Sequence, residues 1–135
     1  MDASGVSGGL AIICDTRTIT LNNIHANNHF IQATFHITGT SIHGHLTDVY
    51  FLQEAMYKVE TLNTLSVINA ERIHLLWITG GNFNMITKLE EKWGGRNILE
   101  KEINNLKEFF QNNWLIDMTF NNGLYTWNNK RVGSH

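Results

Sequence analysis

The chemistry that this sequence could perform is concentrated in two amides, Asn82 and Asn84, on either side of Phe83. They follow a short apolar run, residues 75–79, and two glycines. Such a run ending in glycine is typical of a buried strand, and glycine lets the backbone turn or approach a ligand closely. If the chain stays extended, both amides lie on one face and Phe83 turns toward the core. Polar side chains at the rim of a sheet often carry function, although Gly and Asn are also common in a plain turn.

The composition indicates one globular domain without strong electrostatic specialisation. Of the 135 residues, 42% are hydrophobic and 16% are charged, which is enough to bury a core. The net charge is -2 and the ten Lys and Arg are scattered, whereas nucleic-acid binding usually needs a basic face. The single cysteine, Cys14, can form no internal disulfide, which fits a reducing compartment such as the cytoplasm or nucleus. No apolar run has the length of a membrane span, so we expect no membrane partner.

The first 45 residues predict antiparallel strands in a meander. Stretches rich in β-forming residues are separated by short turns, without room for crossover helices. The predicted strands are residues 7–14, 18–25 and 30–37, and a short strand that ends at Ile42. A last strand is predicted at residues 124–127, after the hairpin signal Asn121-Asn122-Gly123.

Two helices are predicted in the rest of the chain, because apolar residues there recur at helical spacing. The first helix would start at Thr47 or Asp48 as its N-cap, and the second would follow a long loop at residues 85–97. Their apolar stripes are Leu52, Ala55, Met56, Val59 and Leu62 in the first helix, and Leu99, Ile103, Leu106 and Phe110 in the second. With the central strand, residues 73–79, this predicts an α/β fold with a mainly antiparallel sheet and two amphipathic helices.

Gly81-Asn82-Phe83-Asn84 resembles the Gly-Asp-Phe-Asn signature of the endonuclease/exonuclease/phosphatase superfamily, which has the DNase I-like fold. The likeness is closest to the endonuclease region of plant LINE-type non-LTR retrotransposons. Further segments resemble that region in the same order along the chain: residues 7–11, 40–45, 91–95, 110–117 and 125–129. The resemblance implies one partial domain over residues 1–135, an incomplete DNase I-like α/β sandwich.

What the resemblance implies chemically is hydrolysis of DNA phosphodiester bonds with Mg²⁺ as cofactor. Asn82 stands where the family has an Asp that activates or orients water, and Asn84 matches an Asn that contacts the phosphate. His43 stands where the family has a phosphate-binding Tyr, and Thr126 and Trp127 match a strand near the phosphate. Because a neutral amide accepts no proton at pH 7, Asn82 cannot do the work of the Asp.

The resemblance also implies that functional residues of the family fall outside this sequence. The family's metal-binding Glu lies upstream of the match to residues 7–11, and its Ser-Asp pair and terminal Asp-His lie downstream of the match to residues 125–129. We therefore expect a degenerate retrotransposon endonuclease fragment that binds no Mg²⁺ and does not hydrolyse DNA. The alternative is a non-catalytic module that reuses the fold to bind nucleic acid or a protein, with weak DNA binding at best.

Missing strands would leave sheet edges and core surface uncovered. We expect Phe30, Phe35 and Trp127 to stay partly exposed to solvent for this reason. The expected consequences are marginal stability and self-association through the exposed edges.

Overall fold

A computed structural model describes residues 9–52, 54–94 and 97–118 of the chain. The chain divides into two units, Met1–Asn84 and Met85–His135. A four-stranded sheet and a helix lie in the first unit, and a second helix lies in the other. The mixed α/β class is therefore confirmed, while the DNase I-like arrangement stays a prediction. The strand predicted at residues 124–127, with Thr126 and Trp127, lies outside the described residues.

The first three strands form the predicted antiparallel meander: β1 (Ile19–Ala26), β2 (Phe30–Ile37) and β3 (His43–Tyr50). Between β1 and β2 the Asn27 side-chain oxygen accepts the backbone N–H groups of His29 and Phe30, at 2.8 and 2.9 Å. This Asx turn explains why the chain reverses so tightly there. The strand predicted before β1 is wrong for residues 9–14, which are not in a strand, although Leu10 is buried.

β3 corrects the predicted boundary between strand and helix. The sequence predicted a strand that ends at Ile42 and a helix from Thr47, but Thr47 and Asp48 lie in the middle of β3. This strand pairs with β2 on one side and with β4 (Leu76–Asn82) on the other. Pairing on both sides uses the backbone groups that a helix would otherwise satisfy, and it overrides the local helical spacing.

The connection from β3 to β4 is a crossover through α1 (Ala55–Ala70). β4 runs parallel to β3, and the strand order is β1-β2-β3-β4. β4 begins and ends three residues later than predicted, so both glycines lie inside it. It is not the fully buried strand that its apolar sequence suggested. It lies at one end of the described sheet, and Leu76 and Ile78 are 53% and 52% exposed.

The face of the sheet on which α1 lies is unusually polar. Strand alternation and register place buried Gln32, His45 and Thr47 on this face, together with Trp77 and Thr79. The Tyr50 N–H donates toward the β2 side and the Phe51 N–H toward β4, so a right-handed crossover from β3 to β4 places α1 over this face. The buried stripe of α1 is polar in part: Lys58, Thr61, Leu62, Leu65 and Asn69.

The predicted amphipathic stripe of the first helix is therefore not the stripe that α1 buries. Leu62 is buried, but Met56 is 71% exposed, and Leu52 precedes the helix. α1 instead buries a neighbouring stripe that is polar in part. We attribute this to the polar side chains on the face of the sheet that α1 covers.

The opposite face of the sheet carries buried Ile31, Ala33 and Phe35. Phe30 and Phe35 are 1% and 6% exposed, so the expectation that they stay partly exposed to solvent is wrong. Phe30 alternates onto the α1 side, and Phe35 alternates onto this apolar side. Exposed large apolar side chains in the described sheet lie on its two outer strands instead: Ile24 on β1, and Leu76 and Ile78 on β4.

The second unit contains a short 3-10 turn, Leu89–Glu91, and α2 (Glu100–Asn112). The carboxylate of Glu91 accepts both the backbone N–H and the hydroxyl of Thr87, at 2.9 and 2.6 Å. α2 buries Ile103, Leu106 and Phe109, so an amphipathic helix is confirmed, but Leu99 precedes it and is 66% exposed, and Phe109 is buried in place of Phe110. Across the described part of the chain, no helix combines the length and apolar character that spanning a membrane requires.

The two ends of the sheet differ in a way that bears on self-association. β1 has a register shift between Asn22 and His25, and Asn23 has a positive φ of 49°. β4 pairs without a shift, and its seven residues carry no charge. Bulges and charges protect edge strands from pairing with other chains, so β4 is the less protected edge.

We expect the chain to self-associate through β4, and Ile78→Lys to weaken this association by placing a charge on the edge. The measurement is the concentration dependence of the weight-average mass by sedimentation equilibrium. Ile24→Lys is the matched control, because Ile24 is 65% exposed but lies in the irregular part of β1. A monomeric unmodified chain at all concentrations, or equal effects of both variants, would contradict this expectation.

Candidate functional site

The candidate site lies where the parallel strands β3 and β4 end and α1 begins. Tyr50, the last residue of β3, is in register with Asn82, the last residue of β4. In open α/β sheets, ligands commonly bind at the carboxyl ends of parallel strands. The topology therefore brings the predicted amides to a position where such folds carry function.

Asn82 and Asn84 lie close together and are joined by a hydrogen bond, although the chain is not extended there as the alternation argument requires. The Asn82 side-chain oxygen accepts the Asn84 backbone N–H at 2.9 Å. Asn84 has a φ of 49°, a left-handed conformation that Asn tolerates better than most residues. The signature segment is thus a tight Asx turn that ends β4.

Asn84 also fastens this turn to the end of β3. Its side-chain amide donates to the backbone oxygen of Phe51, and the Phe51 N–H donates to the Asn82 backbone oxygen at 2.8 Å. The rings of Phe83 and Phe51 meet edge-on, with centroids 5.2 Å apart. Polar and apolar contacts together hold the turn against the residue that follows β3.

Lys58 connects α1 to the turn at Asn84. It lies in the first turns of α1, is only 2% exposed, and donates from Nζ to the Asn84 backbone oxygen at 2.7 Å. A buried ammonium needs such acceptors because its desolvation is costly. The contact links α1 to the turn, so the ends of β3, β4 and the start of α1 are held together around Asn84.

Only glycine fits at position 81, because β4 and β3 approach each other closely there. Its φ is 110°, and a Cβ at this position would collide with the backbone oxygen of Val49. The same Cβ would lie 2.6 Å from the Asp48 carboxylate oxygen Oδ1. Gly80, by contrast, has open space around the position of a Cβ. The two glycines therefore have different roles, which the sequence alone does not distinguish.

Asp48 supplies a carboxylate near the predicted amides. Strand register places it beside Gly80, on the same face as Tyr50 and Asn82. Burial raises the pKa of Asp48, although the backbone N–H groups of Ala11 and Val49 donate to it and oppose this shift. Two backbone donors therefore hold the charged group in place.

The structure does not bring His43 to this site. His43 is the first residue of β3 and Tyr50 is the last, which separates them by about 23 Å at the rise of a strand. The His43 Nδ1 lies 2.9 Å from the Ser41 backbone oxygen, and the side chain is exposed. The strand end beside Asn82 is instead formed by Val49 and Tyr50.

Sequence reasoning missed Tyr50, Asp48 and Lys58 as members of the site. The alternation of polar and apolar residues continues through Val49 and Tyr50, and this signal could have extended the strand. Helical spacing predicts Asp48 only as a helix cap. Lys58 gave no usable signal, because its position depends on how α1 packs.

The donor set of the site is made mainly of amides and backbone groups. Among residues 9–52, 54–94 and 97–118, no three His, Cys, Asp or Glu side chains converge in a group that could hold a metal ion. Mg²⁺ is usually held by carboxylates and water, and the amides of Asn82 and Asn84 are used in the turn. The Mg²⁺ that the resemblance implies therefore stays a prediction.

No known protein family, curated protein or solved structure matches the chain. The resemblance to the endonuclease/exonuclease/phosphatase superfamily therefore stays a prediction, which depends on the residues quoted for it.

Substituting the two glycines separately tests the close approach at Gly81. We expect Gly81→Ala to lower the free energy of unfolding by about 2 kcal/mol or more, because the new side chain is strained at positive φ and collides with β3. Gly80→Ala is the matched control and should change stability by less than about 1 kcal/mol. Urea unfolding followed by circular dichroism measures both, and equal losses would show that Gly81 is not specially constrained.

Proposed function

We propose that this chain is a degenerate endonuclease/exonuclease/phosphatase-like domain, related to the endonuclease region of a LINE-type retrotransposon, that does not hydrolyse phosphodiester bonds. The proposal is supported by the position of Gly81-Asn82-Phe83-Asn84 at the end of a parallel strand, after a crossover helix. Tyr50 is in register with Asn82, so in this proposal Tyr50 takes the place at the strand end that the resemblance gives to His43.

The observation that carries the proposal is the use of both signature amides inside the turn. The Asn82 oxygen accepts the Asn84 N–H, and the Asn84 amide donates to Phe51. A group that activates water must take up a proton, and an amide does not do so at neutral pH. These side chains therefore stabilise the strand end and supply no general base.

Asp48 does not replace the missing base in this proposal. Its carboxylate is directed toward Gly81 and accepts backbone N–H groups of Ala11 and Val49. A carboxylate that is held by structural donors and packed against a strand stabilises the local backbone. Its position explains why β4 has glycine there.

We expect no nicking of supercoiled plasmid DNA above background, with Mg²⁺ or with Mn²⁺. Asn82→Asp should remain inactive as well, because one new carboxylate does not provide a metal-ligand set. The assay is conversion of supercoiled to open-circular DNA on agarose gels. Nicking by the unmodified chain that is abolished both by EDTA and by Asn84→Ala would contradict the proposal. Rescue by Asn82→Asp would show that the site still holds a metal.

The alternative function is a non-catalytic module that binds nucleic acid or a protein. An observation that favours the protein-binding form is the uncharged edge of β4, with Leu76 and Ile78 about half exposed. DNA binding has no comparable support, because the ten basic residues are scattered and the net charge is -2.

Fluorescence anisotropy with a labelled DNA duplex tests the DNA form of this alternative. We expect binding weaker than about 10 μM at low salt, and a further loss as salt is raised from about 50 to 200 mM, as for non-specific phosphate contacts. Sub-micromolar binding that persists at the higher salt would instead establish a specific nucleic-acid site.

A further inference from the structure

His45 is the most unusual titratable group in the first unit. Its side chain is 0% exposed and belongs to the face of the sheet over which the crossover places α1. The imidazole stacks on the Trp77 indole, with ring centroids 5.3 Å apart and an angle of 24°. Within the described part of the chain, neither ring nitrogen has a hydrogen-bond partner.

The other charged and titratable groups on this face cannot compensate a positive charge on His45. Arg72 follows α1 and acts on His45 through its charge, and one of its own guanidinium nitrogens is buried without a partner among the described residues. α1 contributes the buried ammonium of Lys58. β2 and β3 contribute His36 and His43, which are exposed. The contribution of β4 is neutral: Trp77 donates from its indole N–H to the Thr47 hydroxyl at 3.0 Å, and Thr79 is uncharged.

We infer that His45 makes the packing of α1 on the sheet sensitive to acid: α1 is held while the imidazole is neutral, and protonation releases it. The physical reason is that an imidazolium here would be a second buried cation beside Arg72, without an acceptor for either N–H. Buried charges without a partner are among the most costly groups in a protein interior.

The direction of the pH dependence follows from the shift that this environment causes. Burial, and then the charge of Arg72, lower the pKa of His45 from 6.5 to about 4. Above pH 6.5 the group is neutral in both the packed and the released state, and the stabilisation is complete. Between pH 6.5 and pH 4 only the released state takes up a proton, so the packed state becomes progressively less favoured.

Hydrogen exchange measured on the full chain by mass spectrometry tests this inference. After correction for the intrinsic pH dependence of exchange, we expect the protection of residues 55–70 to fall at least about tenfold from pH 7 to pH 5. His45→Phe retains a planar ring against Trp77 but has no titrating group, so its protection should change much less over the same interval. His74→Phe is the matched control, because His74 is exposed and precedes β4, and it should behave like the unmodified chain.

The same pH dependence in the unmodified chain and in His45→Phe would overturn the inference. Nuclear magnetic resonance of the imidazole in the unmodified chain provides a second test that needs no folded variant. A His45 pKa below about 5 is expected, and a value near the ordinary 6.5 would overturn the inference.

Discussion

The hydrogen bonds of Asn84 hold together the part of the first unit on which the candidate site depends. Its side-chain amide donates to Phe51, its backbone N–H donates to Asn82, and its backbone oxygen accepts from Lys58. These contacts join the residue after β3, the end of β4 and the first turns of α1. Three segments that are distant in sequence therefore meet at one residue, which adopts a left-handed conformation.

Under the proposed function, this arrangement supplies a structural reason to retain a segment that resembles a catalytic signature. In the resemblance, the first polar residue of the signature should act on water and the second on a phosphate. In this structure each has a backbone partner, and the close approach at Gly81 belongs to the same network. The contacts of this turn are therefore sufficient to account for its two amides structurally.

The face of the sheet under α1 is more polar than a sheet face covered by a helix usually is. Gln32, His45 and Thr47 are buried where a sheet usually presents apolar side chains to a helix. Buried polar atoms without hydrogen bonds lower stability by about 1–3 kcal/mol each, and the described residues include several on His45, Arg72 and Thr79. The sequence predicts marginal stability from uncovered sheet edges, and this layer is a second physical reason to expect it.

Local signals predicted the parts of the fold that depend on local interactions. β2 has the predicted bounds, β1 is displaced by one residue, and α2 buries Ile103 and Leu106 of its predicted stripe. The boundary between β3 and α1 was wrong because Thr47 and Asp48 are held by pairing with two neighbouring strands, which helical spacing does not reveal.

The candidate site was predictable to a similar extent. The spacing places Asn82 and Asn84 on one face only if the chain stays extended, but Asn84 has a φ of 49° and an Asx turn brings the two residues together instead. The separation of His43 from Asn82 and the approach of Lys58 to Asn84 depend on register and on helix packing. These are properties of the three-dimensional arrangement, and no pattern of spacing in the sequence contains them.

The most direct test of the structural role of the signature is the stability of Asn84→Gly. Glycine adopts the left-handed conformation readily and keeps both backbone contacts of residue 84, so the substitution removes the amide that donates to Phe51. If this amide fastens the turn, urea unfolding should show a loss of about 1–2 kcal/mol, because the Phe51 oxygen would lose its donor. Unchanged or increased stability would contradict the account, and it would indicate that the Asn84 side chain is kept for a ligand.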